Sequence, residues 1–254
     1  MISNSSNPYI RRIVLKQDEI ESYSEYPFHL PVLQKLHELD LHPNVTIFMG
    51  ENGMGKSTLL EAIAIASGFN PEGGTLNFSF STFYSHSILE RYIKVIKGAN
   101  RPKDGFFLRA ETFYNVASKI EELDREPLGG KRIIDSYGGL SLHAQSHVES
   151  FFSLFSNRFG GNGLYILDEP EAALSPLRQL SMLCRLQELV NKDSQFIIAT
   201  HSPILMAYPG AKLIELTKEG LHETVLEDTG HYQIMKQFFH DKERMLHHLL
   251  HEEE

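Results

Sequence analysis

The chain has 254 residues, 41% of them hydrophobic, a net charge of −9 and a single cysteine, Cys184. That content suffices for a core and argues against global disorder, while the acidic balance argues against a surface coated for non-specific nucleic-acid binding. No apolar run approaches the roughly 18 residues of a membrane span, the N-terminus lacks a signal-peptide pattern, and one cysteine excludes an internal disulfide framework or a Cys-x-x-Cys metal clip. The expectation is a cytoplasmic protein with no direct membrane insertion.

Ile10-Arg11-Arg12-Ile13-Val14-Leu15 alternates as a strand, and Pro27-Phe28-His29-Leu30-Pro31 reads as extended. Leu33, Leu36, Leu39 and Leu41 are spaced as a short amphipathic helix. Tyr26 and Phe28 lie about 25 to 30 residues before Lys56, either as rings that stack on a base or as core.

Val45-Thr46-Ile47-Phe48-Met49 reads as a buried strand, and Leu59 to Ala66 as a helix closed by Ser67-Gly68. Between them stands Gly50-Glu51-Asn52-Gly53-Met54-Gly55-Lys56-Ser57-Thr58. A strand, a glycine-rich turn and a helix form the context in which G-x-x-x-x-G-K-S/T holds a phosphate. Gly50, Gly53 and Gly55 let the backbone turn N–H groups onto phosphate oxygens, and the helix adds its positive N-terminal end. Lys56 reaches the β/γ-phosphates and the Ser57 hydroxyl ligates Mg²⁺. Asn52, Met54 and Thr58 complete the candidate cradle. A glycine-rich turn that binds nothing is the plain alternative.

After the loop from Gly68 to Gly74, Leu76 to Phe83 alternates as a strand. Arg91, Lys94, Lys97, Arg101, Lys103 and Arg109 concentrate positive charge, as a solvated face or as a nucleic-acid contact. Gly105 to Glu111 is a buried strand ending in charge. A helix follows from Thr112 to about Leu123, and residues 124–143, rich in glycine and charge, read as an exposed connection. A second helix opens near Ser146, so residues 112–159 form a helical insertion within one domain spanning 1–254.

Gly163 to Asp168 is an apolar run for a parallel strand that delivers Asp168 and Glu169 side by side at its C-terminal end. Beside the phosphate loop, Asp168 would hold Mg²⁺ and Glu169 would act as the base toward water. Ser175-Pro176 starts a helix whose apolar face is Leu177, Leu180, Leu183, Leu186, Leu189 and Val190, with Cys184 in its packing. Gln195 to Thr200 is another buried strand, ending in His201, which would meet the γ-phosphate and the attacking water. Lys212–Leu216 and Glu223–Leu226 form a hairpin, and residues 231–251 one helix, so the C-terminal part comprises about 211–251. His247, His248 and His251 lack a fixed geometry for a metal.

These motifs resemble the ABC-type ATPase superfamily, in particular small bacterial ATPase heads related to RecF- and SMC-type proteins. Gly50–Thr58 is like the Walker A, Leu164–Glu169 like the Walker B with its catalytic glutamate, and His201 like the switch histidine. Ala172-Ala173-Leu174-Ser175 stands where the superfamily has its D-loop, with Ser175 for the usual aspartate. Glu111 falls at the Q-loop glutamine position, as an acid that would touch Mg²⁺ or water. Ser146-His147-Val148-Glu149 stands where the signature opens the second helix of the insertion, with a valine where glycine is expected; Ser-x-x-Glu is also a plain capping box.

The resemblance implies a P-loop α/β fold with a mostly parallel core sheet, an antiparallel N-terminal portion and a helical insertion. It further implies Mg²⁺-dependent ATP hydrolysis, with Ser146 contacting ATP across a nucleotide-dependent homodimer. DNA repair or defence is the setting implied, with nucleic acid or a separate effector protein as further partner. Other readings are the ATP-binding subunit of a membrane transporter, a small-molecule phosphotransferase, and a non-catalytic nucleic-acid module. Asn191-Lys192-Asp193-Ser194 lacks the intervening residue of a guanine reader.

Overall fold

The computed structural model describes residues 8–76, 87–109, 113–125, 132–137, 139 and 153–251. Among these, a seven-stranded sheet is ordered β10-β9-β3-β8-β7-β6-β4 and a three-stranded sheet β2-β1-β5. The strands are β1 Ile10–Leu15, β2 Glu38–Asp40, β3 Val45–Gly50, β4 Gly74–Thr75, β5 Ile93–Lys97, β6 Asp104–Arg109, β7 Gly163–Asp168, β8 Gln195–Ala199, β9 Lys212–Thr217 and β10 Gly220–Thr224. The helices are α1 Pro31–Lys35, α2 Lys56–Ser67, α3 Leu89–Tyr92, α4 Phe113–Arg125, α5 Pro176–Val190, α6 Pro203–Met206, α7 Gly230–His240 and α8 Lys242–His251. In the large sheet β6, β7, β8, β3 and β9 run parallel, and β4 and β10 are antiparallel edges. The sheet β2-β1-β5 is wholly antiparallel. This is the α/β architecture expected from the sequence.

Every residue of β3, β7 and β8 is buried, because helices or the second sheet cover both faces of the parallel sheet. Alternation divides the side chains. Ile47, Tyr165 and Ile198 face a core shared with Met182, Leu186 and Leu189 of α5. Phe48, Ile166 and Ile197 face the other core, with Leu60 and Ile63 of α2 and Ile13 of β1. The described part of the insertion joins the first core through Val116, Ile120, Tyr137 and Phe155. Buried Gln195 ties the N-terminal strand to β8: its amide accepts from Ile10 N at 2.9 Å and donates to Ile10 O at 2.8 Å.

Several expectations are corrected. The helix over Leu33–Leu41 is shorter, ending at Lys35, because Leu39 pairs with Ile13 in β2 and Asp40 binds Arg12. Residues 27–31 turn rather than extend, after a cis Tyr26–Pro27 bond, with Leu30 N accepted by Pro27 O at 3.0 Å. On α5, Leu177 (73% exposed) and Leu180 (50%) face outward, and Met182 takes a core position with Leu186 and Leu189. Cys184 lies on the solvent side of that helix instead of in its packing. The single C-terminal helix is two, broken at Asp241, whose carboxylate caps the second by accepting from Arg244 N at 3.2 Å. The cationic run is divided between two sheets: Lys94 and Lys97 lie on β5, whereas Arg109 ends β6 in a partly buried ion pair with Glu61. Most of the strand expected at 76–83, with Glu111, Ser146 and Val148, lies outside the described residues.

His42 supplies a pH-dependent element just before β3. Its Nδ1 accepts N–H bonds from Asn44 and Val45, both at 3.2 Å, which requires the neutral imidazole. Burial, helped by Lys212, pushes its pKa below the usual value. A folded-state pKa below the unfolded one, near 6.5, adds stability that is present above that pH and lost as pH falls. Thermal melts between pH 7.5 and 5.5 should show a falling Tm, and His42→Asn should flatten that slope; an unchanged slope contradicts this role.

Candidate nucleotide site

Strand order assembles the site. β3, β8 and β7 are adjacent, with Phe48 opposite Ala199 and Ala199 opposite Asp168. Their C-terminal ends release the phosphate loop, His201 and Glu169 along one edge of the sheet, where ligands of open α/β sheets bind. Two backbone bonds lock the exits: Glu169 N to Ala199 O at 2.9 Å and Thr200 N to Phe48 O at 3.0 Å.

The glycines are there for space and for φ. Gly50 has φ +135°, and a Cβ there would stand 2.3 Å from Leu216 O. Gly55, at φ +93°, caps the N-terminus of α2. Gly50→Ala should cost at least about 2 kcal/mol from strain and overlap. Differential scanning calorimetry checks it, and an unchanged Tm refutes the requirement.

Lys56 is buried and donates to Gly50 O at 2.8 Å and Glu51 O at 3.0 Å. An ammonium has three donors, so one remains for a phosphate oxygen. Burial lowers its pKa, opposed by the charges of Glu169, Asp168 and Glu171. Ser57 Oγ donates to Asp168 Oδ1 at 3.0 Å across the two loops. Asn52, Gly53, Gly55, Lys56, Ser57, Thr58 and Glu169 line one cleft of about 210 Å³ with Tyr26. Met54 and Gly50 instead line a neighbouring cleft of about 460 Å³ with the β9–β10 turn.

Glu169 is held at φ 49°, a left-handed conformation that costs a non-glycine residue energy and recurs at functional sites. His201 Nε2 lies 3.6 Å from Glu169 Oε1, beyond hydrogen-bond range, and is buried with no hydrogen-bond partner among the described residues. Burial, then Lys56, lowers the His201 pKa against the opposing charges of Glu169 and Glu171, so the ring is neutral at pH 7. The structure thus brings Lys56, Ser57, Asp168, Glu169 and His201 together.

Two groups, Glu171 and His231, were not found by pattern, and of the two candidate rings Tyr26 is the one at the site. Glu171 Oε1 accepts from His201 N at 2.6 Å, which fixes the histidine's backbone; a side chain that meets only an N–H leaves no motif. Tyr26 is 58% exposed, with its hydroxyl 3.2 Å from Thr58 Oγ1, whereas Phe28 packs in the core against Tyr23 and Tyr92. His231 of α7 stands 5.8 Å, ring to ring, from His201. Ser175, at the D-loop position, caps α5 by accepting from Arg178 N at 3.4 Å.

The sequence profile of the AAA domain matches residues 20–156, more than half of the chain. The chain belongs to the AAA-domain family. The chain is 26% identical over 183 residues to the cytochrome c biogenesis ATP-binding export protein CcmA of Legionella pneumophila (strain Paris), with 70% of this chain and 84% of CcmA covered. Among solved structures it is similar to an inward-facing putative metal-chelate type ABC transporter, at TM-score 0.44 and 19% identity, covering 91% of this chain and 89% of that one. It is also similar to the SMC head domain from Thermotoga maritima, at TM-score 0.41 and 15% identity, covering 85% and 98%. The resemblance to ATPases read from the motifs agrees with the AAA-domain match and the likeness to CcmA.

Proposed function

We propose that the protein hydrolyses ATP with Mg²⁺ at the edge formed by β3, β8 and β7. The observation that carries this reading is the 3.0 Å bond between Ser57 Oγ and Asp168 Oδ1. Residues far apart in sequence meet there as two hard oxygen donors, which fits magnesium. The donor set supports that fit: Asp168, Glu169 and Glu171 outnumber the single ammonium of Lys56 that they surround. Ser57 and Asp168 would hold the ion, which supplies charge neutralisation between the phosphates.

The chain's own groups do the rest. Backbone N–H groups of the loop and of the first turn of α2 bind the phosphates, and Lys56 donates its remaining N–H to them. Glu169 accepts the proton of the attacking water. His201, neutral and with Nε2 unengaged, orients that water or the γ-phosphate through a hydrogen bond. Release of inorganic phosphate that requires Mg²⁺, and that is lost in Asp168→Asn, is the expected result; equal release in EDTA contradicts it.

Nucleotide bridging of two copies is the coupling we infer, with Ser146 reaching ATP across the dimer and Glu111 near the metal. A ligand bound between two heads favours the closed pair by its differential affinity. Sedimentation of a hydrolysis-deficient variant should show a doubled mass with ATP and not with ADP; an unchanged mass contradicts the dimer. Cytoplasmic work on nucleic acid or with an effector protein suits this form.

The likeness to CcmA favours a second reading, as the ATP-binding subunit of an exporter. Among the described residues no helix is long and apolar enough to cross a membrane. Co-purification with a membrane protein is the result that would support this second reading.

A further inference from the structure

His201 is anchored at its backbone by Glu171, but its ring has no hydrogen bond among the described residues to set its angle. The ring that meets it comes from the C-terminal part of the chain. His231 lies 5.8 Å away with the planes inclined at 54°. Tilted ring contacts of this kind are favourable and directional. The other charged groups that face His201 are Lys56, Glu169 and Glu171.

The backbone at His231 is fixed by the cap of its helix. The residue occupies the first turn of α7, where fully buried Thr229 accepts from Tyr232 N at 3.2 Å and donates to Leu226 O at 2.7 Å. His231 also lines the cleft of about 460 Å³ that borders the phosphate loop at Gly50, Glu51 and Met54. Beyond this root, α7 and α8 bury no residue. A pair of helices with so little packing of its own nevertheless places one ring against the site.

Resting on the hydrolytic reading above, we propose that His231 is a positioning residue whose ring holds the His201 imidazole facing Glu169. The contact ties the C-terminal helices to the hydrolytic step without touching the nucleotide. It fixes orientation and leaves phosphate binding alone, so its loss lowers kcat and spares KM.

The test compares phosphate release by the full chain with that of His231→Ala, His231→Gln and His231→Phe. The two ringless variants should lose about tenfold in kcat, with KM for ATP within about twofold of the parent. His231→Phe, which keeps a ring, should return to within about threefold of the parent kcat. Parent kcat in both ringless variants overturns the proposal, as does a phenylalanine variant as slow as the glutamine one. If the alanine variant loses its thermal transition, glutamine against phenylalanine makes the same decision. A carbon–proton signal of the His201 ring, assigned by its loss in His201→Ala, should shift in His231→Gln irrespective of turnover. A parent that shows the shift and releases no phosphate therefore fails the hydrolytic reading, whereas an active parent with no shift fails the ring contact.

Discussion

Replacing Lys56 with alanine should weaken ATP binding about ten- to a hundredfold, since charge-assisted bonds to phosphate are worth about 1.5–3 kcal/mol and tenfold corresponds to about 1.4. The loss has two sources. The ammonium that meets the phosphates disappears, and the carbonyls of Gly50 and Glu51 that it gathers lose their donor. Isothermal titration with ATP and Mg²⁺ reads the effect directly, alongside a melt to show that the fold survives. Affinity equal to that of the parent would refute the phosphate-loop assignment.

The second large effect belongs to Glu169→Gln. The substitution keeps the shape and the left-handed backbone, and it removes the ability to accept a proton. General-base contributions of about 10²–10⁴ set the scale, so turnover should fall at least about a hundredfold while ATP binding persists. Single-turnover phosphate release, compared with binding of the same variant, separates the two. Turnover that survives would place the base elsewhere, with Glu171, whose carboxylate meets His201 N on the same exit from β7, the next residue to replace.

Loss of binding in the first variant and of chemistry in the second divides the labour between the two loops. Their meeting follows from the sheet: β3, β8 and β7 are neighbours, so three segments far apart in sequence end side by side. Much of this was legible in the sequence because each segment carries its own local chemistry. Apolar runs with buried faces on both sides identify parallel strands, glycines mark a turn needing positive φ, and acids after a strand mark its C-terminal end.

What escaped the sequence depends on partners distant along the chain. Leu39 fits a helical spacing with Leu36, yet the edge of β1 draws it into a strand through Ile13. Leu177 and Leu180 continue the apolar face of α5, but that end of the helix runs past the core, and burial passes to Met182. Asp241 breaks a helix whose apolar pattern is continuous, because a carboxylate that caps the next helix competes with continuing the first. Glu171 and His231 act on His201 through a backbone N–H and a ring edge, and neither contact has a spacing in sequence.

The central claim is that the phosphate loop and the acid after β7 share one metal–triphosphate. Mn²⁺ in place of Mg²⁺, titrated with ATP into the Glu169→Gln protein, tests it by electron paramagnetic resonance of the protein-bound ion. Binding of Mn²⁺ with ATP that weakens at least about tenfold in both Ser57→Ala and Asp168→Asn is the expected result. Binding unchanged in both variants, or no protein-bound Mn²⁺ with ATP in the starting protein, would contradict the account.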